Sequence, residues 1–536
     1  MISMKKKWLT LPMALIMAGT LAFGTGCGPT APTGPVITVQ DGFIYVDGNK
    51  TDLQVSDPAN GKSVFEQWKE ENPSYQGTEA DWVKWLQELL EQADKNDGDD
   101  DDNKNDDGDD DNQNDDDDKE KKVIEYTIIE NGVFNGSVKS GSASTSASAY
   151  KMTNAILNLN ENVILPIGED AEWEVNITGK LLTGSATGAQ LFVANPFSEF
   201  GRVYIGVNKN SSLLYLGVRV NTVYVNFGWT ISPSMFTSNH SYSFIYEDGV
   251  YYLSVDGGEK QPMTDLNFNQ ANGEWLEDSE KDSQNLNTLM RTVLGQEYIE
   301  MTNIGANEFA CNAEISSFTV KTTEVSGYKK LTAHPLKNTR IFYLGSSITY
   351  GSASGGVAFG DIISKISGNP YQKQAVSGTT LAVQGGRSDS YLERFNNFNF
   401  NEAPDFLIVQ LSTNDFSTNR PLGTVDMNKN SNFDTSTLSG AIEHIISQAK
   451  AKCPTVKVVF YAGAVQGSWG YRIAYENYMN GDLQKICQKW GIGVLDIFHT
   501  KYKSYRCYWS DDIHPTIEGY SAGWTPLFVK YLEENL

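Results

Sequence analysis

The chain has 536 residues, 40% of them apolar and 20% charged, with a formal net charge of −25. That length suits about two to four domains with sizeable cores. The acidic balance, with no basic stripe or patterned patch, excludes a nucleic-acid-binding class.

The charge is uneven. Asp97 to Asp118 holds fourteen Asp and one Lys, a net of −13, which leaves −12 of the −25 for everything else. At the start of the chain, Lys5–Lys7 precedes a short apolar stretch, Trp8–Phe23, too short for a comfortable membrane span. It ends in Gly24-Thr-Gly-Cys27, and a Gly/Pro/Thr-rich stretch, Gly28 to Pro35, follows at once. This pattern resembles the bacterial lipoprotein signal. The resemblance implies export, lipidation at Cys27 and a membrane anchor on the outer face of the bacterial cell. The plainer alternative is an ordinary cleaved signal peptide with Cys27 incidental. Two acyl chains on one cysteine would suffice for stable anchoring.

Val36–Val55 reads as a hairpin closed by Asp47-Gly48. Gly77-Thr-Glu-Ala-Asp-Trp82 opens a capped helix with Trp82, Trp85, Leu86 and Leu89 on one stripe. This segment resembles small helical modules of Gram-positive surface proteins, which implies display at the cell surface. We therefore expect a signal and lipidated Cys over 1–27, a small hairpin/helix surface module over 28–93 and an extended acidic linker over 94–122. The linker cannot bury apolar surface and repels itself. A calcium-loop reading of Asn103 to Asn114 fails because Asn114 stands where a glutamate is needed.

From Val123 to about Gly327, short Val/Ile/Tyr/Phe runs alternate with Gly, Asn and Ser turns, and no helix-length periodic stretch is expected to interrupt them. Many short strands at regular spacing predict an antiparallel sandwich over 123–330. Its strand order, ending in Ala313-Glu-Ile-Ser-Ser-Phe-Thr-Val320, resembles a concanavalin-A or laminin-G jelly roll. That implies a lectin-like domain, weighed evenly against a spacer that binds nothing. Trp229, Phe236 and Trp275 are its candidate sugar-stacking rings, or core.

Residues 331–536 alternate strands and helices. Strands are expected at Ile341–Leu344, Tyr371–Val376, Phe406–Leu411, Val456–Tyr461 and Gly493–Ile497. Helices are expected at Phe359–Ile366, Thr437–Ala451, Ile473–Trp490 and Thr516–Glu534. This predicts an α/β three-layer domain around a parallel sheet. Of the five cysteines, Cys311, Cys453, Cys487 and Cys507 remain after Cys27; one Cys453–Cys487 disulfide and free buried thiols are both open.

Four polar loops border strand ends in this last domain: Gly345-Ser-Ser347-Ile-Thr, Ala375-Val-Ser-Gly378-Thr-Thr, Gln410-Leu-Ser-Thr-Asn414-Asp415 and Ser510-Asp511-Asp512-Ile-His514-Pro515. The carboxyl edge of an open parallel sheet is where such folds hold their sites. A serine needs a base, and histidine titrates in the useful range. Among the five histidines, His514 has Asp511 three residues back; His499, near Asp496, is the rival.

These four blocks, in this order, resemble the SGNH (GDSL-type) hydrolase family. The resemblance implies a serine ester hydrolase with Ser347 as nucleophile, His514 as base and Asp511 as its orienting carboxylate. The oxyanion donors it implies are Ser347, Gly378 and Asn414. The family usually has Asp where Ser346 stands and Gly where Ser412 stands, and Asp512 is the alternative carboxylate. No metal-ligand spacing and no cofactor motif occur, so none is expected. No Gly-x-Ser-x-Gly elbow occurs either. Tyr350, Trp469 and Trp509 flank the loops as candidate sugar-stacking rings. The expected activity is a carbohydrate O-acetylesterase acting on an acetylated polysaccharide. The alternatives are a lipid or cell-wall acyl esterase, and a glycan-binding surface lipoprotein whose hydrolase domain is inactive.

Overall fold

The computed structural model describes the backbone of Ile37–Gln40, Phe43–Val46 and Asn49–Gln54, and residues 122–536 apart from 147, 169, 268–277, 326–327 and 386. The export signal with Cys27, the helical module, the acidic linker and Trp275 lie outside the described residues. Met1–Asp117 and Asp118–Leu536 are separate compact units. In the first, the three strands form an antiparallel sheet, one strand more than the expected hairpin; Val46 pairs with Asn49, which leaves two residues for the turn.

In the second unit, fifteen strands form one antiparallel sheet. Two of them are long, Tyr150–Pro166 and Cys311–Thr323, and both slip register at bulges. Bulges bend strands. The bends let the sheet curl until its inner faces meet. Trp229 and Phe244, on strands far apart in sheet order, have ring centroids 5.9 Å apart, and Phe192 and Phe318 are 5.1 Å apart. Alternation along Val223–Thr230 turns Trp229 inward, where it is 3% exposed and donates from Nε1 to the Gln261 carbonyl at 2.8 Å. Phe236 is fully buried. Both rings are core, which removes them as sugar platforms.

One expectation fails here. A helix, α1 (Ser279–Leu294), interrupts the strands. Its signals are in the sequence. Asp278 caps it by accepting from the Lys281 N–H at 2.7 Å, Glu280 and Asp282 occupy the first turn, and Gly295 ends it at φ 60°. The polar first half, Ser-Glu-Lys-Asp-Ser-Gln-Asn, hides the apolar face made by Leu286, Leu289, Met290 and Val293. That face fills the seam between the sandwich and the final helix of the chain.

The C-terminal domain has five parallel strands: β1 (Ile341–Gly345), β2 (Tyr371–Ala375), β3 (Phe406–Gln410), β4 (Lys457–Ala462) and β5 (Gly493–Asp496). Their order is β2-β1-β3-β4-β5. Side chains of the central strands point alternately to two cores. Ile341, Tyr343, Ile408 and Tyr461 join the core that continues into the sandwich; Phe342, Leu344, Val409 and Phe460 join the other. The helices fall as expected. The last two, however, widen to π turns at Met479–Leu483 and Gly519–Trp524. The second π turn lies just ahead of Pro526, which has no N–H to give to a regular ladder.

The four described cysteines are free and buried, so Cys453 and Cys487 are not paired. The Cys453 thiol faces the Pro404 carbonyl at 3.7 Å, and burial pushes the Cys487 thiol up to about 12. Both behave as small apolar side chains.

Candidate active site

In a 2-1-3-4-5 sheet the order reverses between β1 and β3, and a crevice opens there beyond the strand ends. Ser347 follows β1 and Asn414 follows β3, so the first and third polar loops flank that crevice.

The turn after β1 is held tightly. A Cβ on Gly345 would stand 1.7 Å from the Thr349 hydroxyl, so only glycine allows the chain to fold back here. Gln410, the last residue of β3, locks the same turn. Its Oε1 accepts from the Ser346 N–H at 3.0 Å and the Thr349 hydroxyl at 2.8 Å, while its Nε2 donates to the Ser346 hydroxyl at 3.0 Å. Tyr461 lies 2.7 Å from the Thr349 hydroxyl, and the Tyr520 hydroxyl donates to the Ile348 carbonyl at 2.6 Å. Ser346 is thus fully buried and occupied. Ser347 opens a one-turn helix, α2 (Ser347–Tyr350), so its N–H has no intrahelical acceptor.

Ser347 Oγ is 2.8 Å from His514 Nε2, and His514 Nδ1 is 2.7 Å from Asp511 Oδ2. Asp511 Oδ1 also accepts from the N–H groups of Ile513 and His514, at 2.9 and 2.8 Å. Burial alone would raise this carboxyl. The two N–H groups and the imidazole outweigh it and hold Asp511 below its ordinary value. A carboxylate there fixes the imidazole so that Nε2 faces the serine. Asp512 is turned elsewhere, accepting from the Ser468 hydroxyl at 2.6 Å. His499 is held between Asp496 at 2.6 Å and Glu476 at 3.2 Å, not by the serine.

Gly378 lies in the loop after β2 at φ 75°, the left-handed region glycine favours. That loop is tied to the first by Ser352 and Ser377, whose hydroxyls are 2.5 Å apart. Asn414 Nδ2 donates to the Thr379 carbonyl at 2.9 Å, which links the third block to the second. An amide nitrogen carries two protons, so one remains to be donated.

Behind Asn414 stands Asp415, the last residue of the third polar loop, to which the sequence reading gives no role. It is fully buried and accepts from the N–H groups of Leu381 and Ala382 at 2.7 and 2.9 Å. Burial pushes its carboxyl up to about 6, against the pull of Ser412 and those two N–H groups. Arg394, also missed, donates to the Gln374 carbonyl at 2.5 Å and the Thr379 hydroxyl at 2.7 Å. Gln410, Arg394 and Asp415 hold the loops and do not face the crevice's reacting groups. The available signal was a polar residue closing an otherwise apolar strand, Phe-Leu-Ile-Val-Gln410, and a second acid-amide residue beside Asn414.

Of the three candidate stacking rings, Tyr350 is 44% exposed, with Lys373 Nζ 5.6 Å behind its ring centroid. Trp469 is half-buried among Tyr471 and Tyr475. Trp509 is half-buried, with Nε1 donating to the Tyr502 carbonyl at 3.3 Å, which makes it packing more than platform.

Residues 343–522 match the GDSL-like Lipase/Acylhydrolase family. That stretch is a GDSL-like acylhydrolase domain. Its family chemistry is serine ester hydrolysis. No curated protein matches the chain. Among solved structures, a family two carbohydrate esterase from Cellvibrio japonicus is 13% identical, covering 77% of this chain and 98% of its own, at TM-score 0.28. An extracellular lipase from Streptomyces rimosus is 15% identical, covering 36% and 99%, at TM-score 0.28. A GDSL-like lipase from Bacteroides thetaiotaomicron is 21% identical, covering 38% and 93%, at TM-score 0.26. These scores are too low to bear on what the acylhydrolase domain acts upon.

Proposed function

We propose that the acylhydrolase domain is a carbohydrate O-acetylesterase, with Ser347 as nucleophile, His514 as base and Asp511 as orienting carboxylate. The observation that carries the serine chemistry is the unbroken row Asp511–His514–Ser347, at 2.7 and 2.8 Å. Ser347 Oγ attacks the acyl carbon as His514 Nε2 takes its proton. Negative charge develops on the carbonyl oxygen. The Ser347 and Gly378 N–H groups and the second Asn414 amide proton are the donors suited to receive it. Collapse expels the sugar alkoxide, which leaves as the alcohol with the proton from His514. Water then attacks the acyl-enzyme, His514 again takes the proton, and acetate departs while Ser347 regains its hydrogen.

Tyr350 supports the sugar side of this reading. It is exposed three residues from the nucleophile, its amphipathic face suits a pyranose ring, and Lys373 braces it from behind. Lys373 in turn donates to the Tyr350 and Gly356 carbonyls, at 3.2 and 3.1 Å, and pairs with Asp361 at 2.5 Å. A lipid or cell-wall acyl esterase is the second reading. It would place the exposed side chains of Val376 and Ile473 against an acyl chain. A surface-anchored form, lipidated at Cys27, is part of the proposal and would keep the enzyme beside an extracellular polymer.

The test is acetate release from acetylated xylan and acetylated mannan, beside a p-nitrophenyl ester series from acetate to decanoate. We expect release from one polymer and a preference for acetate. A preference for decanoate with silence on both polymers would replace this reading with the lipid one.

A further inference from the structure

On the sandwich, away from the acylhydrolase domain, lies a half-open cleft of about 670 Å³ lined only by sandwich residues. Its volume falls within the roughly 300–1,000 Å³ usual for small-ligand sites. Three strands are irregular where they form it. Cys311–Thr323 slips register around Asn312, and Gly136–Thr145 slips on both sides of Ser140. Between them, Asn154 adopts φ 46° in mid-strand. A non-glycine residue held in the left-handed region is strained and persists where the surroundings over-determine it. Here the partner is Asn312, which accepts from the Asn154 N–H at 3.0 Å and donates to its Oδ1 at 2.9 Å.

The rim is fixed before any ligand arrives. Lys209 N–H donates to the Thr187 carbonyl at 2.7 Å, and Gly305 N–H to the Gln190 carbonyl at 2.9 Å. Asn208 Oδ1 accepts from the N–H groups of Asn210 and Ser211, at 3.0 and 3.1 Å. That leaves its Nδ2 without a partner among the described residues, as are the side chains of Asn307 and the Nδ2 of Asn154. Phe309 offers one ring, braced by Tyr224 at 5.7 Å between centroids. Glu308 offers a carboxylate: its Oε2 accepts from the Tyr224 hydroxyl at 2.6 Å, which holds it ionised.

No lysine or arginine lines the cleft. The nearby Arg202 donates to Asn195 and Gln190 and lies 4.0 Å from Glu308, while Arg219 donates to the Asn221 carbonyl and pairs with Glu308 at 3.5 Å. Both guanidiniums are committed to Glu308 and neither lines the cleft, so a phosphate, sulfate or uronate would find no free cation there. Carboxamide donors, a carboxylate acceptor and a single aromatic face are instead what a ring of neutral hydroxyls and C–H groups matches.

We propose that this cleft is a non-catalytic binding site for a neutral oligosaccharide segment, read by Asn208, Asn307, Glu308 and Phe309. Its place in the fold separates it from catalysis. Strand Gly201–Asn208 starts beside the acylhydrolase domain, where Lys365 lies over the Phe200 ring and donates to Asn221. It reaches the cleft at Asn208, seven residues later, roughly 23 Å away at about 3.3 Å per residue. A polymer held there would raise the effective concentration of acyl groups at the domain without touching its chemistry. The inference does not depend on the esterase assignment.

The test is calorimetric titration of the full-length protein with cellohexaose, xylohexaose and mannohexaose. Hexagalacturonate and inorganic phosphate serve as charged controls. We expect one neutral hexaose to bind saturably, and to bind Ser347→Ala equally. Asn208→Asp keeps the turn's Oδ1 but removes the donor, and weakens binding roughly tenfold, about the worth of one hydrogen bond. Phe309→Ala weakens it by at least as much, while Phe309→Tyr retains it. Should Phe309→Ala fail to fold, Asn208→Asp decides. No neutral hexaose binding, undiminished binding by Asn208→Asp, or binding of the charged controls alone would each overturn the proposal.

Discussion

Among the described residues the row Asp–His–Ser occurs twice. In the acylhydrolase domain it runs Asp511–His514–Ser347, at 2.7 and 2.8 Å. In the sandwich it runs Asp256–His240–Ser238, at 2.7 and 3.1 Å. The two imidazoles are similarly exposed, and so are the two carboxylates. The serines differ. Ser238 is exposed at the end of a short 3-10 turn and gives its hydrogen to the Ser234 carbonyl at 2.8 Å. Ser347 is 6% exposed, begins a helical turn pinned by Gln410, and sits at a sheet crevice beside two further polar loops. A triad's side chains come together easily on a surface. What is costly is the fixed turn, the donors opposite the serine and a hydroxyl proton with nowhere else to go.

The comparison breaks most sharply at the serines. Ser347→Ala should lower kcat/KM on p-nitrophenyl acetate by about 10⁴-fold, while Ser238→Ala should leave it within roughly twofold. Equal losses in the two variants would refute the assignment of the active serine. A smaller effect is expected one layer behind the site. Asp415→Asn sets an amide N–H₂ against a backbone N–H that the carboxylate accepted, so kcat should fall by roughly 10- to 100-fold with little change in KM. Stability should fall by about 1–3 kcal/mol. Steady-state kinetics and a melting curve on the same sample separate the two. A rise in KM alone would place Asp415 in substrate binding instead of loop positioning.

The smallest effect lies at the joint between the two regions. His334 is 3.9 Å from Glu533, near the end of the last helix, and its Nε2 is 3.2 Å from the Thr292 carbonyl of α1. Burial pushes His334 down to about 4. Burial, then Glu297 and Glu534, push Glu533 up to about 7. Between those values both groups are neutral, so their proximity is not an ion pair. The folded state binds the Glu533 proton more tightly than the unfolded chain does. This stabilisation is complete below about pH 4.5 and is lost as pH rises through 7. Glu533→Gln should therefore melt with wild type at pH 4 and above it at pH 8. The gain, about 1–2 kcal/mol after allowing for partial exposure, is roughly 2–4 °C. Coincident melting curves at pH 8 would show that Glu533 titrates normally.

Much of the acylhydrolase domain was legible from the chain alone. Apolar runs such as Phe406–Val409 can only be buried strands, and the stretches between them carry helical spacing and caps, such as Thr437 ahead of Leu438. The residues now within hydrogen-bond reach stood in two blocks with a recognisable order, Ser347 in the first and Asp511 with His514 in the last. Local rules also favoured the short strands of the sandwich. They failed at α1, whose apolar face appears only after seven polar residues, and they left Trp229 open between platform and core, since exposure of a ring in a strand depends on which face turns inward.

The sequence by itself determined the alternation of elements, the Gly345-Ser-Ser347 loop and the pairing of Asp511 with His514, because each is encoded within a few neighbouring residues. Only the tertiary structure decided which serine meets that histidine, that Gln410 and Asp415 hold the loops, and that a cleft of carboxamides forms far from them. Ser347 and His514 are 167 positions apart, and Asn154 and Asn312 are 158 apart. Contacts at such separations are set by how the sheets curl and stack, and nothing in local propensity carries that information.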